Sequence, residues 1–289
     1  MKTNSVGVVI PTYNCREFLS DCLESVLSQS NPPAQIVVCD DCSQDRTQEV
    51  ILKYQGKYPD IIEAILHDKN IGIPKNFNSG LKKINTDFVS IVSGDDFWHK
   101  DKLKFELEAL NEKTECRWAY SNSCLVDKEG NLISLFRREH DGAEGRIVFE
   151  ILTHEMTLRN WTIEKGLLED IGFFDESLEI FEDWDFKIRL AANSSVVHVD
   201  HNSVFYRRHG KGASSYPGNI YYDNLRKIFI KQKPLIEKLP KEKKLFVIKK
   251  QRKDMLVHID RFLKSSHNVP LLGKLKYHII KGYISLLAV

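Results

Sequence analysis

No stretch of the 289-residue chain approaches the ~20 consecutive apolar residues that a membrane-spanning helix requires. The first residues carry one lysine and only a five-residue apolar run before Pro11, so they lack the longer apolar region of a secretory signal. Hydrophobic residues nevertheless make up 42% of the chain and charged residues 28%, which is typical of a globular protein and excludes a disordered one. We therefore predict a folded protein without a transmembrane helix.

Two common nucleotide-binding loops are also missing. The first apolar run ends in PTYN (11–14) and not in the GxGxxG turn of a dinucleotide-binding fold. A GxxxxGK(S/T) phosphate-binding loop occurs nowhere in the chain. A dehydrogenase and a P-loop ATPase both lose support for this reason.

Cysteine is sparse and irregularly spaced. The spacing of the six cysteines is not typical of a disulfide framework, and a chain of this size does not need disulfide bonds to fold. We therefore predict reduced thiols in a cytosolic protein. Cys39 and Cys42 form a single CxxC, but no second CxxC or suitably spaced His pair follows, and we interpret it as incidental. His198 and His201 lie in a strand-like stretch, where they would point apart and would not form a zinc pair.

The net charge of +2 conceals two different parts. Beyond residue 210 there are 18 Lys and Arg against 5 Asp and Glu, a surplus of 13, while the first 210 residues hold the remaining 24 against 35, a deficit of 11. We predict one domain over residues 1–212 that carries the function and a basic helical extension over residues 213–289.

Strand and helix patterns alternate over the first 110 residues. Short apolar runs typical of buried strands precede stretches with apolar residues on one helical face. The predicted strands are 6–10, 36–39, 61–66 and 88–92, and the predicted helices are 16–29, 46–54, 101–110 and one that begins at Pro74. Alternation at this spacing predicts an α/β fold with a mainly parallel sheet covered by helices on both faces.

The rest of the chain is less regular. We predict a strand over 117–123, a loop over 127–145 and a helix that begins near Glu182. Beyond Ser215 the pattern is helical and basic, and we expect breaks at the three prolines of this part, Pro234, Pro240 and Pro270.

Paired carboxylates follow two of the predicted strands. Asp40 and Asp41 come after the second strand, and Asp95 and Asp96 come after the fourth. In a parallel sheet, ligands bind outside the carboxyl ends of the strands, so these pairs are expected at one edge. Each pair taken alone is also typical of a turn or a helix cap. Two adjacent acidic clusters are easier to tolerate if a divalent cation compensates their charge.

Five segments, in order and spacing, resemble the family 2 glycosyltransferases. They are PTYN, IVVCDDCSQDRT (36–47), HDKNIGIPKNFNSGL (67–81), VSGDDFW (92–98) and FEDWDFKIRL (181–190). The resemblance covers about residues 5–210. It implies the GT-A fold, a single nucleotide-binding α/β domain.

The resemblance implies a nucleotide site at the first strands. Pro11, Thr12 and Tyr13 would line the base, with the Tyr13 ring available for stacking, and Asp41 would accept a hydrogen bond from the uracil N3–H. The residues that would close over the donor are Asn70, Gly72 and Lys75, of which Lys75 would face the diphosphate.

The resemblance also implies a metal and a base. Asp95 would contact the ribose and Asp96 would bind Mn²⁺ or Mg²⁺, and His209 would join the metal or the diphosphate. Asp183, in the acidic segment Glu182–Asp185, would be the general base. Without the other motifs, that segment is typical of an acidic first helical turn, which suits the helix dipole.

The expected reaction is transfer of a sugar from a nucleotide-sugar, with UDP as the favoured nucleotide, to an acceptor hydroxyl with inversion. The family makes assembly of a bacterial surface polysaccharide or glycolipid plausible, with a saccharide or lipid-linked saccharide as acceptor. A sugar nucleotidyltransferase is the alternative enzyme, although PTYNCREF lacks its Gly-rich basic loop. A non-catalytic module that binds nucleotide-sugar or membrane is the other alternative. It predicts loss of the acidic motifs, yet Asp41, Asp95, Asp96 and Asp183 are all present.

The basic extension mixes Lys and Arg with apolar residues, as in LFVIKK (245–250). This pattern favours a helix that lies on an anionic membrane surface, so we expect a cytoplasmic protein, peripheral on the inner face of the membrane. Packing between subunits and a solvated helical face are alternatives. Nucleic acid is not an expected partner, because the extension has no recognisable nucleic-acid motif.

Overall fold

The computed structural model describes residues 4–136, 140–153, 156, 158–210, 218–265 and 271–286. The strands in these residues are β1 (Val6–Thr12), β2 (Gln35–Asp40), β3 (Ile62–Leu66), β4 (Phe88–Ile91), β5 (Phe97–Trp98), β6 (Cys116–Val126), β7 (Leu132–Phe136), β8 (Thr162–Glu164) and β9 (Ser195–Arg207). The helices are α1 (Leu19–Leu27), α2 (Thr47–Lys57), α3 (Ile73–Leu81), α4 (Lys102–Glu112), α5 (Val148–Leu152), α6 (Lys165–Ile171), α7 (Glu182–Asn193), α8 (Gly218–Glu237), α9 (Lys241–Ser265) and α10 (Leu271–Leu286).

The first part of the sheet is parallel, as predicted. Strand β1 pairs in parallel with β2 and with β4, and β2 pairs in parallel with β3. A helix connects each of these strands in turn, and Pro74 lies in the first turn of α3. Parallel strands need such crossovers, which is why the alternating pattern predicts this part well.

The second part makes the sheet mixed rather than mainly parallel. Strand β8 is antiparallel to both β4 and β6, while β9 runs parallel to β6 and antiparallel to β5. Strand β7 pairs with β6 in a hairpin, so the prediction of a loop over 127–145 is wrong for residues 132–136. The predicted strand over 117–123 and the helix from Glu182 are confirmed as parts of β6 and α7.

Buried side chains cover both faces of the sheet. Along β1, Val8 and Ile10 join one apolar cluster and Val9 joins the other, as the two-residue period of a strand requires. Helices α1 and α4 pack on the first face. Helices α3 and α7 pack on the second face, together with apolar residues of α8 and α9.

The C-terminal helices continue this packing. Leu225 and Phe229 of α8 and Val247 of α9 belong to the core of the second face, while α10 joins a smaller cluster with Tyr222. The predicted boundary between residues 212 and 213 lies outside the described residues. So does Pro270.

Proline affects α8 and α9 differently. The prediction of a break at Pro234 is wrong, because α8 continues through it to Glu237. Pro234 lacks only one backbone donor close to the end of the helix, and buried Ile236 holds the last turn on the core. The predicted break at Pro240 is confirmed, since α9 begins at Lys241.

Two further expectations concern cysteines and the membrane. The six cysteines all lie within the described residues, and each is a free thiol. No described helix combines the length and the apolar character that a bilayer-spanning helix needs.

Candidate active site

The loop after β2 assigns different tasks to Asp40 and Asp41. Asp40 is fully buried, and its carboxylate accepts hydrogen bonds from the Ser43 backbone N–H at 2.9 Å and from Gln48 Nε2 at 2.8 Å. It therefore fixes the turn that leads into α2. Asp41 turns the other way, and its carboxylate accepts from the backbone N–H groups of Ile71 and Gly72 at 2.6 and 3.0 Å.

These bonds hold the segment before α3 against the sheet edge. Gly72 has φ +88°, a left-handed value that glycine adopts without strain, and α3 begins at the next residue. Asn70 donates to the Asp41 carbonyl at 3.3 Å. Asp41, Asn70 and Gly72 thus form one side of a cleft.

The cleft is a cavity of about 390 Å³ outside the carboxyl ends of β1, β2 and β4. Of the predicted site residues, the structure brings eight to its lining: Pro11, Thr12, Tyr13, Asp41, Asn70, Gly72, Asp95 and His209. The Tyr13 ring is 50% exposed at this cavity. Lys75 lies exposed on α3 and lines neither this cavity nor the one described below.

The turn after β4 approaches the loop after β1 closely. The Gly94 backbone N–H donates to the Pro11 carbonyl at 3.0 Å, and a Cβ on Gly94 would lie 2.6 Å from the Thr12 methyl group. Only glycine fits this approach. The turn therefore presents the next residue, Asp95, to the cavity.

Asp95 and His209 form a pair in the cavity. His209 Nε2 lies 3.0 Å from Asp95 Oδ2, and the His209 ring packs on Phe18 with its centroid 4.7 Å away. His209 follows β9, and β9 pairs with β5 directly after Asp95 and Asp96. The pairing of β5 with β9 thus brings residues more than 110 positions apart together.

Asp96 occupies a different environment from Asp95. It is 2% exposed, and its Oδ1 accepts the Arg207 backbone N–H at 3.0 Å. Burial raises its pKa to about 8, and the nearby Asp95 charge adds to this shift. Asp96 lines the second cavity described below, whereas Asp95 and His209 line the first.

Arg207 is a residue that the sequence reasoning missed. Its buried guanidinium donates to the Asp95 carbonyl at 3.1 Å and to Asp21 at 2.9 Å, and it lies 4.9 Å from the Phe18 ring centroid. It thereby ties the turn after β4 to α1 and β9. The only sequence feature that pointed to Arg207 was its position two residues before His209. A charged residue at the end of a strand is usually exposed, so the sequence did not predict its burial.

A second cavity of about 200 Å³ adjoins the first. The two share Ile73, Phe77 and Ser93 in their linings, so they form one continuous site. The residues that bring polar groups to the second cavity are Asp96, Arg159, Asn160, Trp161, Glu182 and Asp183. Asn160 and Trp161 directly precede β8, which no sequence pattern identified.

Three acidic residues in the first turn of α7 have three different environments. Asp183 has a side chain 52% exposed and accepts from Lys187 Nζ at 2.8 Å. Burial raises the pKa of Glu182 to about 8, with the Asp183 charge adding to the shift. Asp185 is buried in ion pairs with Arg189 at 2.9 Å and with Lys231 of α8 at 2.6 Å. The helix N-terminus favours all three charges.

Three buried polar atoms at the site have no hydrogen-bond partner among the described residues. Asn76 Oδ1 lies at the first cavity, and Asn160 Nδ2 and Trp161 Nε1 lie at the second. Unsatisfied buried polar groups are rare and costly, at about 1–3 kcal/mol each, so these atoms are candidates to meet a ligand. None of the three was predicted, because an Asn in a helix and an Asn-Trp pair before a short strand look structural in sequence.

The donor set suits a hard divalent cation that also binds phosphate. Within the described part of the chain, no group of three or more His, Cys, Asp or Glu is arranged to hold a metal by itself. Mg²⁺ and Mn²⁺ need few protein ligands where substrate phosphates and water supply the rest. The Asp95 carboxylate and the His209 imidazole, side by side in the cavity, fit that requirement.

Comparison with known proteins identifies the family to which the chain belongs. The family model of Glycosyl transferase family 2 matches residues 7–170. The chain is similar to the chondroitin synthase of Escherichia coli, with 25% identity over 234 residues, and to the hyaluronan synthase of Pasteurella multocida, with 26% identity over 215 residues. These alignments cover 77% and 72% of this chain but only 32% and 21% of the two relatives.

The fold is similar to that of S. aureus TarS 1–349. In its complex with UDP the TM-score is 0.66, and in its complex with UDP-GlcNAc it is 0.68. Each match has 21% identity and covers 94% of this chain and 78% of the other. The expected GT-A fold is confirmed by this similarity.

Proposed function

The chain belongs to glycosyl transferase family 2, and from that premise we propose that it transfers a sugar from a UDP-sugar to an acceptor hydroxyl with inversion. One observation carries the proposal. The two joined cavities have the Asp95–His209 pair on one side and Asp183 on the other. Such a site can hold the nucleoside diphosphate at the Asp95–His209 pair and the sugar next to it, with Asp183 as the general base at the far end.

The first cavity suits the nucleotide. The half-exposed Tyr13 ring is available to stack on a base, and Pro11 and Thr12 line the same wall. Each Asp41 carboxylate oxygen accepts one hydrogen bond from the segment before α3. Each keeps a second lone pair that can accept a hydrogen bond from an N–H of the nucleobase. The TarS structures that resemble this chain hold UDP or UDP-GlcNAc, which favours uridine here.

We assign the cation to Asp95 and His209, which moves the metal from Asp96, the ligand that the sequence suggested, to Asp95. Asp95 lies in the nucleotide cavity beside an imidazole, whereas Asp96 is buried with one oxygen on the Arg207 backbone. A bound Mn²⁺ or Mg²⁺ would supply charge that stabilises the departing diphosphate. Asp96 instead supports the turn and borders the sugar space.

The second cavity suits the transferred sugar. Trp161 Nε1 is available to donate to a sugar oxygen, and the Asn160 amide lies near the Asp96 carboxyl. A site built to hydrogen-bond a hydroxyl discriminates strongly against a sugar that lacks it. These two residues are therefore our candidates for sugar selection.

Asp183 is our choice for the general base. Its exposed carboxylate can reach an acceptor that arrives from solvent, and Lys187 Nζ holds its orientation. Burial and the Asp183 charge raise the pKa of Glu182 to about 8, so at neutral pH its protonated form predominates and it is a poorer base than Asp183. Asp185 is occupied by Arg189 and Lys231. With Asp183 as base, the acceptor oxygen attacks the anomeric carbon opposite the leaving UDP, and the configuration inverts.

The names of the similar synthases favour assembly of a bacterial polysaccharide, so we propose a saccharide or lipid-linked saccharide as acceptor. The basic C-terminal helices favour a protein that is peripheral on the inner face of the membrane.

The test is a panel of UDP-sugars incubated with the full chain, Mn²⁺ and saccharide acceptors, with and without pyrophosphate. We expect release of UDP from at least one donor, unaffected by pyrophosphate. A sugar nucleotidyltransferase would instead form UTP when pyrophosphate is added. Formation of UTP, or no UDP from any donor, would contradict the proposal.

A further inference from the structure

A third cavity lies between the C-terminal helices α8, α9 and α10. Its volume is about 640 Å³, within the range of small-molecule sites. Most of the side chains that line it are apolar, among them Phe229 and Ile236 of α8, Ile248 and Met255 of α9, and Ile280 and Ile284 of α10.

The rim of this cavity has the opposite character. Four cationic side chains border it: Arg226, Lys233, Lys244 and Arg252. Glu237 is the single acidic residue among the described residues that line it, and its carboxylate lies 3.9 Å from Lys233 Nζ. The side chains that line the cavity therefore carry a formal net charge of +3 around an apolar interior.

We propose that this cavity binds one anionic phospholipid, with an acyl chain inside and the phosphate at the basic rim. An apolar interior attracts a hydrocarbon chain, and Lys and Arg attract the phosphate beside it. A second copy of this chain is a poorer occupant, because a two-fold contact through this face would set the same surplus cations against each other. Nucleic acid would contact the rim but leave the interior unfilled.

Binding of one lipid in a cavity differs from attraction of a basic helix to a charged bilayer. The cavity should accept a dispersed lipid with no vesicle present. Affinity should rise about fourfold with each methylene that enters the cavity. Neither property follows from charge alone.

The experiment titrates the full chain by calorimetry with short-chain phosphatidylglycerols below their aggregation concentration. We expect binding that strengthens from the six-carbon to the seven-carbon chains. Glycerol 3-phosphate, which lacks the chains, should not bind measurably, and phosphatidylcholine of equal chain length should bind at least tenfold more weakly. Equal binding of the two headgroups, or no dependence on chain length, would overturn the proposal.

A matched pair of variants locates the site. Ile279 lines the cavity and is 64% exposed, and Leu275 lies one turn earlier on α10, 53% exposed and outside the lining. Ile279→Asp should weaken lipid binding at least tenfold, whereas Leu275→Asp, which adds the same charge, should change it less than twofold. Both positions are exposed, so both variants should fold. Equal losses would show surface attraction only, and a cavity that seals by dimerisation in sedimentation, without binding lipid, would also overturn the proposal.

Discussion

The candidate active site at the strand ends and the cavity between α8, α9 and α10 would bind phosphate in opposite ways. Around the first, Asp41, Asp95, Asp96 and Asp183 line the walls, and residues 1–210 carry a deficit of 11 positive charges. Around the second, Lys and Arg form the rim, and the remaining residues carry a surplus of 13. A diphosphate among carboxylates requires a cation, whereas a phosphate beside Lys and Arg does not.

The largest expected effect is on turnover. Asp183→Asn should lower the turnover number ~10²–10⁴-fold, because an amide of the same size cannot take the acceptor's proton. UDP affinity should stay close to that of the wild type, since Asp183 lines only the second cavity. Steady-state kinetics with saturating donor and acceptor, together with UDP titration, measure both quantities.

The control is Asp260→Asn in the helical region, where Asp260 pairs with Lys281 on the surface. It removes the same charge and should leave turnover unchanged. Near wild-type turnover in Asp183→Asn would exclude Asp183 as the base and return the acidic turn to a capping role, since Asn caps a helix about as well as Asp.

The next effect is on stability, where the two regions should also differ. Lys102 and Glu106 form a fully buried ion pair at 2.7 Å inside the sheet domain. Glu106→Gln should cost about 3–5 kcal/mol in the free energy of unfolding, because it leaves the Lys102 charge buried and unpaired. Asp260→Asn breaks a pair in which both side chains are 41% exposed, and it should cost less than about 1 kcal/mol. Urea unfolding measures both losses. Equal losses would contradict the contrast between a buried ion pair in the sheet domain and an exposed one in the helical region.

The third effect is on metal-dependent binding. Asp95→Asn should weaken Mn²⁺-dependent UDP affinity at least about tenfold, because it removes a charged ligand beside His209. Asp96→Asn should weaken it less, because Asp96 is buried against the Arg207 backbone. Calorimetry at fixed Mn²⁺ compares the two variants. A larger loss of affinity in Asp96→Asn than in Asp95→Asn would contradict this assignment and identify Asp96 as the metal ligand.

The last effect concerns the dependence of stability on pH. The pKa of Asp96 rises from 3.8 to about 8 on folding, so between these values the folded protein holds a proton that the unfolded chain has lost. The stabilisation from that proton is complete below the unfolded pKa and is lost as pH rises through the folded pKa of about 8. Asp96→Asn stays neutral and should show a flatter profile.

The gap in stability between Asp96→Asn and wild type should therefore widen in favour of the variant from about pH 5 to pH 8. Urea unfolding in the presence of chelator measures it, and Glu182 should leave a residual slope in both proteins. Parallel profiles would contradict the burial of an ionisable Asp96.

The sequence predicted what depends on local periodicity. Strands β1 to β4 and helices α1 to α4 follow from apolar patterns because crossovers in a parallel sheet are local units. The edge position of Asp41 and Asp95 follows from the same rule. Strand β8 has three residues and an antiparallel partner on each side, so no local pattern marks it.

Long-range contacts explain the rest of what was missed. The difference between Asp95 and Asp96 arises only when β5 pairs with β9 and brings Arg207 and His209 to them. Adjacent identical residues carry no signal of which one faces a cavity. The burial of Arg207 depends in the same way on a partner, Asp21, that lies 186 residues away.

The most direct test of the contrast is one titration of UDP into the full chain, first with Mn²⁺ and then with excess chelator. If carboxylates line the nucleotide site, UDP should bind with Mn²⁺ and lose at least about tenfold in affinity when the cation is removed. A UDP affinity that is the same with Mn²⁺ and with chelator would contradict the account.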